Sequence, residues 1–314
     1  MGGCNLNIYI SNMGDDTIES INLINYKKKI CKIQPFINYT NKYRQYKSQQ
    51  FFGPHRLIID KKRKKLYSLN AYDNSLGIID LEEFILENLV YAGNYPNSGV
   101  IFKEYILILN GDSDCISIYD IKHETIIGQI KVGSYPQKII YNIKYDKFAV
   151  SNMNSDTVDI IDTLGFNIIK TVTVGSKPSC IIFSQDEEYL FVVNTFLESG
   201  RNGTISIIKM KDLTLFKSIE VGKMPISIRE SNGILYILNS YSNSLTKINI
   251  FNNERKEMFC CYMPSYMEIL GTKGFITSSG ENKLYIIDIN KMELIEKLQT
   301  GKEPQGFVID QLGP

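Results

Sequence analysis

The sequence has only two histidines, His55 and His123, and this limits the chemistry it can support. Haem, copper and catalytic zinc sites draw repeatedly on histidine, so two histidines at unrelated positions argue against a multi-histidine site. Ser-His-Asp or Cys-His catalysis would need one of the two, and neither has a supporting motif nearby. We therefore predict no catalytic residues, no metal ligands and no cofactor, which favours a binding protein over an enzyme.

A second group of residues could bind a ligand. His55 and Arg56 follow a proline that recurs along the chain, and other aromatic and basic residues lie beside later copies of that proline. The candidate ligand-binding residues are His55, Arg56, Tyr95, Tyr135, Lys138, Lys177, Arg201, Tyr266, Tyr43 and Arg44.

Tyr43 and Arg44 lie in the stretch 35–53, where six aromatic residues are interleaved with lysine and arginine. This composition suits stacking on single-stranded nucleic acid or on sugars. The aromatic side chains could equally pack on the protein and leave the charges in water. Both interpretations stay open from the sequence.

Carboxylates offer two further interpretations. Seven acidic residues lie in short polar turns, where they could surround a cation, although Asp and Asn are also ordinary turn residues. They are Asp15, Asp16, Asp73, Asp112, Asp114, Asp156 and Glu281. Glu230 and Glu268 lie in apolar segments at positions that could face a channel. A lactonase- or lyase-type enzyme with a bound divalent cation would need such inward carboxylates. We interpret the turn residues as architecture and keep this enzyme as an alternative.

A repeat positions all of these residues. One unit consists of a G-x-x-P turn, an apolar run, a basic turn, a strand ending in Asn, a polar turn and a strand ending in Asp, and 131–162 is its clearest copy. Seven of the nine prolines occupy one position, 39 to 47 residues apart. These are Pro54, Pro96, Pro136, Pro178, Pro225, Pro264 and Pro304, and the asparagines are Asn12, Asn70, Asn110, Asn152, Asn194 and Asn239.

Each unit holds four short segments rich in Ile, Val, Tyr and Phe, which predicts four β-strands. A period near 40 residues with four strands is typical of a propeller blade. The chain starts on an Asn-ending strand, and residues 305–311 supply the strand that would precede it. We predict an all-β, seven-bladed propeller as a single domain over 1–314, closed by pairing of the C-terminal strand into the N-terminal blade. The units start near 5, 54, 96, 136, 178, 225 and 264.

The units resemble the YVTN repeats of seven-bladed propellers in the superfamily of cytochrome cd1 and lactonase-like propellers. VGSYP…FAVSN…VDIID, VGSKP…LFVVN and TGKEP carry this resemblance, which covers nearly all of 5–310. The sequence departs from the pattern at Cys261 (for Gly), at Lys209 and Ile250 (for Asp) and at Ser278-Ser279 (for Asn). The resemblance implies a central funnel but no single function, because its members are mostly binding scaffolds, with a few enzymes and redox-cofactor proteins.

Two insertions interrupt the period, at 35–53 and at 196–202. In a propeller the loop between the second and third strands lies on the same face as the loop to the next blade. Both insertions therefore belong to the face of the G-x-x-P turns, and extra residues on one face of a repeat ring are typical of a binding face. The opposite face collects lysine-rich turns, which we interpret as solubility and edge protection.

Composition adds few constraints on partners or location. Lys+Arg (35) nearly balances Asp+Glu (34), which gives no global signal for nucleic acid or acidic membranes. The six cysteines lack metal or disulfide spacing, and Cys260 and Cys261 are expected on a strand, facing opposite sides. With no secretory signal and no apolar run of membrane-helix length, we expect a cytoplasmic monomer with no membrane partner. Export after removal of a leader is the alternative.

The sequence thus predicts a non-enzymatic binding or interaction scaffold. Its partner, an unknown protein or small ligand, would meet the face that carries the insertions at 35–53 and 196–202. The alternatives are the lactonase- or lyase-type enzyme with a funnel-bound divalent cation, and single-stranded nucleic-acid binding at the funnel mouth.

Overall fold

The chain forms a ring of seven four-stranded antiparallel sheets, which confirms the predicted all-β, seven-bladed propeller. The computed structural model describes residues 6–34, 51–196, 200–252 and 254–311, with Gln311 described as backbone only. Within these ranges the helical content is a single 3-10 turn, Gly111–Ser113. No helix in them is long and apolar enough to cross a membrane.

Each blade places its first strand at the central channel and its fourth at the rim. The strands, numbered along the chain, fall into four classes by their place in the blade. The innermost strands are β28 (Pro304–Gln311), β4 (Pro54–Asp60), β8 (Pro96–Phe102), β12 (Pro136–Asn142), β16 (Pro178–Phe183), β20 (Pro225–Ser231) and β24 (Pro264–Leu270). The second strands are β1 (Leu6–Asn12), β5 (Lys65–Asn70), β9 (Tyr105–Asn110), β13 (Lys147–Asn152), β17 (Tyr189–Asn194), β21 (Ile234–Asn239) and β25 (Lys273–Ser278).

The two outer classes complete the blades. The third strands are β2 (Thr17–Asn22), β6 (Ser75–Asp80), β10 (Cys115–Asp120), β14 (Thr157–Asp162), β18 (Asn202–Lys209), β22 (Ser244–Asn249) and β26 (Lys283–Asp288). The rim strands are β3 (Lys28–Lys32), β7 (Leu86–Tyr91), β11 (Thr125–Lys131), β15 (Ile168–Thr173), β19 (Thr214–Lys223), β23 (Arg255–Phe259) and β27 (Glu293–Gln299). Blade 1 combines β28 with β1, β2 and β3, and blades 2 to 7 follow in chain order.

Apolar clusters hold the blades together, one at each of the seven contacts between neighbours. In blade 1, Ile8 and Ile10 of β1 and Phe307 of β28 pack against Phe275 and Ile286 of blade 7. Because neighbouring blades cover both faces of the middle strands, these strands are continuous apolar runs without alternation. The pairing of β28 with β1 joins the two ends of the described chain in this blade.

The recurring asparagine packs on the glycine of the G-x-x-P turn. Asn152 Nδ2 donates to Thr157 Oγ1 (3.2 Å) and Asp159 Oδ2 (2.8 Å). Its side chain covers Gly133 so closely that a Cβ atom there would lie 2.6 Å from Asn152 Cγ. Glycine is required at this position because any side chain would overlap the asparagine. The same contact recurs in the pairs Gly93–Asn110, Gly175–Asn194, Gly222–Asn239 and Gly301–Asn12.

Two departures from the repeat pattern, at Cys261 and Ser278, compensate each other. Cys261 occupies the glycine position of the turn before Pro264, the sixth of the seven, and Ser278 occupies the asparagine position that faces it. Because serine is shorter than asparagine, the Cys261 side chain fits there and is fully buried. The prediction that Cys260 and Cys261 face opposite sides of a strand is wrong. They follow the end of β23 at Phe259, and their Sγ atoms lie 4.0 Å apart.

The assignment of Ile250 to the Asp position is also wrong, because β22 ends at Asn249. Asn249 Oδ1 accepts a hydrogen bond from the backbone N–H of Phe251 (2.9 Å). Asp80 Oδ1 does the same for Glu82 (2.8 Å). Asparagine therefore replaces aspartate in its role of capping the turn after the third strand.

A side chain from each described polar turn fixes the residue before the next proline. Tyr95 N donates to Asn74 Oδ1 (2.9 Å), and both residues have a left-handed backbone, with φ of 57° and 60°. The same pairing joins Tyr135 to Asp114, Lys177 to Asp156, Met263 to Asn243, Glu303 to Asn282 and Gly53 to Asp16. The side chains of these Asp and Asn residues thus accept hydrogen bonds from backbone N–H groups, in agreement with an architectural role for the acidic turn residues.

We expect Gly133→Ala to lower the free energy of unfolding by about 1–3 kcal/mol, because the new methyl group overlaps the buried Asn152 side chain. In an Asn152→Ser background, which imitates the natural pair of Cys261 and Ser278, the same substitution should cost about 1 kcal/mol less. Denaturant unfolding of the four proteins in this double-mutant cycle gives the coupling energy. A coupling energy near zero would show that the glycine is required for another reason.

Candidate ligand-binding funnel

A cavity of about 430 Å³ opens at the mouth of the funnel, on the face of the G-x-x-P turns. Its volume lies within the range typical of pockets for small molecules. The structure brings six of the ten candidate residues together around it. They are His55, Arg56, Tyr95, Tyr135, Lys138 and Tyr266.

The register of the innermost strands explains how the floor of this cavity forms. Arg56, Lys138 and Tyr266 are each the second residue after a recurring proline, so they take equivalent places on β4, β12 and β24. In blade 1 the equivalent residue is Gly306, where a Cβ atom would lie 2.8 Å from Arg56 Cδ. The glycine therefore provides the space into which Arg56 of the next blade extends.

Arg56 and Lys138 bring two positive charges to the floor, and neither forms an ion-pair contact with a described carboxylate, although Lys138 lies close enough to Glu268 to feel its charge. Arg56 Nη1 is buried and has no hydrogen-bond partner among the described residues. Its guanidinium carbon lies 4.7 Å from the centre of the Tyr266 ring, a cation–π contact. Lys138 takes part in none of the ion pairs or side-chain hydrogen bonds found in the described ranges. The floor therefore presents hydrogen-bond donors, on Arg56 and Lys138, that have no acceptor among the described residues.

Beneath this floor, Arg229 and Glu268 form an ion pair between blades 6 and 7. Arg229 Nε donates to Glu268 Oε2 (2.7 Å), and Arg229 Nη2 donates to Glu268 Oε1. Tyr266 Oη donates to the same carboxylate (2.8 Å), and its ring lies 5.1 Å from the Arg229 guanidinium carbon. The carboxylate is thus already neutralised and hydrogen-bonded.

Arg229 is the site residue that the sequence reasoning missed. It and Glu268 are both the fourth residue after their prolines, and opposite charges at one position of adjacent blades were the available signal. Arg229 also lines a second opening on the far side of the channel, together with Ile182 and Glu230. The ion pair and Tyr266 therefore separate the funnel from that opening.

Burial and mutual repulsion shift the pKa values of the floor residues. Burial lowers the pKa of Lys138 to about 8, and the charges of Arg229 and Arg56 act in the same direction, whereas Cys180 and Glu268 oppose the shift. Burial, with repulsion from Arg56, lowers the pKa of His55 to about 3, so its imidazole is neutral near pH 7. Burial would raise the pKa of Glu268, but Arg229 and the Tyr266 hydroxyl hold it below its usual value.

Aromatic rings form the wall of the cavity across blades 2 to 4. The ring centres of His55 and Tyr95 lie 6.4 Å apart, and those of Tyr95 and Tyr135 lie 6.1 Å apart in a stacked arrangement. The side chains of Asn74 and Asp114 accept hydrogen bonds from the backbone N–H groups of Tyr95 and Tyr135, which holds the two tyrosines at the mouth. This wall adjoins both cations, because Arg56 follows His55 and Lys138 lies on the strand that starts after Tyr135.

The remaining candidate residues lie elsewhere. Lys177 does not line the cavity, and its Nζ donates to Asn154 Oδ1 (3.2 Å) at the rim. Arg201 is exposed and also lies outside the lining. Tyr43 and Arg44 fall outside the described residues, as does most of the stretch 35–53.

Phe52, His123 and Glu230 each have a defined place in the structure. At the end of the first insertion, Phe52 is buried in the apolar cluster between blades 1 and 2, so this aromatic residue serves packing. His123 is an exposed turn residue beside Asp120. The placement of Glu230 in the channel phase is wrong, because its carboxylate accepts the backbone N–H of Gln185 (2.9 Å) at the far opening. In the described parts of the chain, no three His, Cys, Asp or Glu side chains cluster as metal ligands.

No protein-family model matches the sequence, and no curated protein matches it significantly. Solved structures are similar in fold. A functionally unknown protein from Desulfotomaculum acetoxidans DSM 771 is 14% identical, with a TM-score of 0.77 over 98% of this chain and 99% of that one. A Bacteroides fragilis NCTC 9343 protein, proposed to be a 6-phosphogluconolactonase, is 13% identical, with a TM-score of 0.75 over 98% and 99%.

The dihydro-heme d1 dehydrogenase NirN, solved in complex with DHE, is 10% identical, with a TM-score of 0.67 over 96% of this chain and 74% of its own. At such identities the similarity concerns the fold alone. The comparisons therefore establish that this chain is a seven-bladed β-propeller, the fold that its YVTN-like repeats indicated.

Proposed function

We propose that this protein is a non-enzymatic binding protein that receives a small anionic ligand in the funnel. One observation carries the proposal: Arg56 and Lys138 reach the cavity floor without an ion-pair contact to a described carboxylate, whereas Glu268 is already neutralised by Arg229. Two unpaired cations at a partly buried site cost folding free energy. A phosphate or carboxylate group between them would accept hydrogen bonds from both and remove that cost.

The location of the two cations also supports this ligand class. They lie in a concave site beside an aromatic wall, where a bound group loses much of its contact with water and charge-assisted hydrogen bonds strengthen. The monomeric state and the cytoplasmic location remain predictions from the sequence.

The alternatives are less well supported. A funnel-bound divalent cation would meet the repulsion of Arg56 and Lys138, and Glu268 would have to leave Arg229 to bind it. Lactone hydrolysis that depends on a divalent cation would revive the enzyme. Binding of single-stranded nucleic acid rests on aromatic residues of the first insertion that fall mostly outside the described residues. An affinity for oligonucleotides that falls steeply with salt would revive that alternative.

Sulfate, a dianion with no titration in the useful pH range, tests the proposal directly. We expect sulfate to bind at pH 7, and Lys138→Gln or Arg56→Gln to weaken the binding by about 10- to 100-fold, because each removes a charged donor. Lys223→Gln is the matched control, since this lysine lies exposed on the same face outside the cavity. Isothermal titration at constant ionic strength measures the affinities. Equal losses in the floor variants and the control would refute a specific floor site.

The lowered pKa of Lys138, about 8, predicts how sulfate binding depends on pH. Below pH 8 the ammonium is charged in the free protein, so the affinity should be constant. Above pH 8 the affinity should fall by up to about tenfold per pH unit, because binding must first restore the proton. Titrations from pH 6 to 9.5 measure this profile. An unchanged affinity up to pH 9.5, or the same decline in Lys138→Gln, would contradict it.

Lys138 should also make the protein less stable than it could be. At pH 7 its ammonium is charged in both the folded and the unfolded chain, so the folded protein bears the cost of burying the charge. We expect Lys138→Met to raise the free energy of unfolding at pH 7 by about 1–3 kcal/mol while it weakens sulfate binding. In the native protein this cost should disappear as pH rises through about 8 towards the unfolded value of 10.5. Thermal and denaturant unfolding measure both effects, and a destabilised Lys138→Met protein would contradict them.

A further inference from the structure

The wall opposite the aromatic rings presents hydroxyl oxygens whose hydrogens are already in use. Ser265 Oγ donates to the Pro304 carbonyl oxygen (2.7 Å) and also lies within reach of Thr277 Oγ1 (3.0 Å) and the Thr277 carbonyl oxygen (3.2 Å). Ser279 Oγ donates to the Met263 carbonyl oxygen (3.2 Å). In each of these contacts the serine is the donor, and a hydroxyl has one hydrogen and two acceptor lone pairs. The lone pairs of both hydroxyls remain free to accept hydrogen bonds.

Blade 5 repeats this arrangement through a relay of two hydroxyls. Thr195 Oγ1 donates to the Pro225 carbonyl oxygen (2.9 Å), and it lies 2.7 Å from Ser179 Oγ. Thr195 has one hydrogen for these two acceptors, so either Thr195 or Ser179 donates the bond between the hydroxyls. In both arrangements Ser179 Oγ keeps at least one lone pair for an incoming donor. Ser179, Ser265 and Ser279 all line the cavity.

The cavity is therefore polarised. The floor offers donors, the guanidinium of Arg56 and the ammonium of Lys138, and the wall of blades 5 and 7 offers acceptors. A bare anion would satisfy only the floor. An apolar body attached to the anion would leave the serine lone pairs without donors, which costs free energy at a partly buried site.

We propose that the ligand is a hydroxylated anion, a phosphate or carboxylate whose carbon body carries several hydroxyl groups. This inference rests on the proposed function and adds the chemistry of the ligand's body. The anionic group lies on Arg56 and Lys138, and the hydroxyl groups donate to the serines. The C–H face of the body packs on Tyr95 and Tyr135, whose stacked rings form the opposite wall.

Two phosphate esters of equal carbon length separate this proposal from binding of the anion alone. Glycerol 3-phosphate and n-propyl phosphate differ by two hydroxyl groups and share the phosphate. We expect glycerol 3-phosphate to bind at least about tenfold more tightly to the full chain at pH 7, because it donates two more hydrogen bonds. Isothermal titration of both esters gives the ratio of their dissociation constants. Equal affinities, or tighter binding of propyl phosphate, would overturn the proposal.

Serine variants locate the acceptors. Ser179→Ala should reduce the preference for glycerol 3-phosphate by about threefold or more without weakening the binding of propyl phosphate, whose carbon body offers the serine no donor. Ser134→Ala is the matched control, because this serine lies in the G-x-x-P turn of blade 4 outside the cavity lining. A preference that survives in Ser179→Ala, Ser265→Ala and Ser279→Ala alike would overturn the assignment of the wall.

The same titrations separate failure of this inference from failure of the proposed function. If both esters bind with equal affinity, and Lys138→Gln abolishes the binding, the anion site stands and the hydroxylated body is wrong. If neither ester nor sulfate binds, both proposals fail together.

Discussion

At six of the seven recurring prolines, the residue before the proline donates its backbone N–H to an Asp or Asn side chain of the preceding blade. The rest of the structure depends on this contact. It holds residues such as Tyr95 and Tyr135 in a left-handed conformation that costs a non-glycine residue about 1–2 kcal/mol. The bond fixes the chain where each innermost strand begins, and so it sets the register of that strand. Because the register is shared, the second residue after each proline takes the same place around the channel, and the floor of the funnel is built from these positions.

The recurring residues hold the backbone of each blade in place, and this explains why the repeat indicates so little about function. The glycine, asparagine, aspartate and proline of each unit satisfy backbone groups or pack on one another, and such roles are equivalent in every blade. Function enters where equivalent positions differ, as Arg56 and Lys138 differ from Ser98 and Ser227. Unpaired cations at these positions work against folding, and the seven apolar interfaces between blades supply the stability that tolerates them.

The fold could be predicted from the sequence because each blade repeats the same local signals. Part of the candidate site was also accessible, since His55, Arg56, Tyr95, Tyr135, Lys138 and Tyr266 all lie within two residues of a recurring proline. Lys177 also directly precedes a recurring proline, but its side chain donates to Asn154 at the rim. The spacing of residues in the sequence does not predict this orientation. On β20 it is Arg229 that faces the channel, and Glu230 is the next residue along the strand. The sequence prediction was therefore wrong by one residue, and it named Glu230, which accepts a backbone N–H, in place of Arg229. The compensation between Cys261 and Ser278 requires knowledge of which side chains meet in space.

The most direct test of the account is a crystal structure of the protein grown with selenate, an analogue of sulfate whose selenium gives an anomalous signal. If the unpaired cations of the floor form an anion site, the strongest anomalous peak outside methionine and cysteine lies between Arg56 and Lys138. It should disappear in Lys138→Gln crystals grown in the same way. Selenate found only at the lysine-rich turns of the opposite face, with an empty floor, would contradict the central claim.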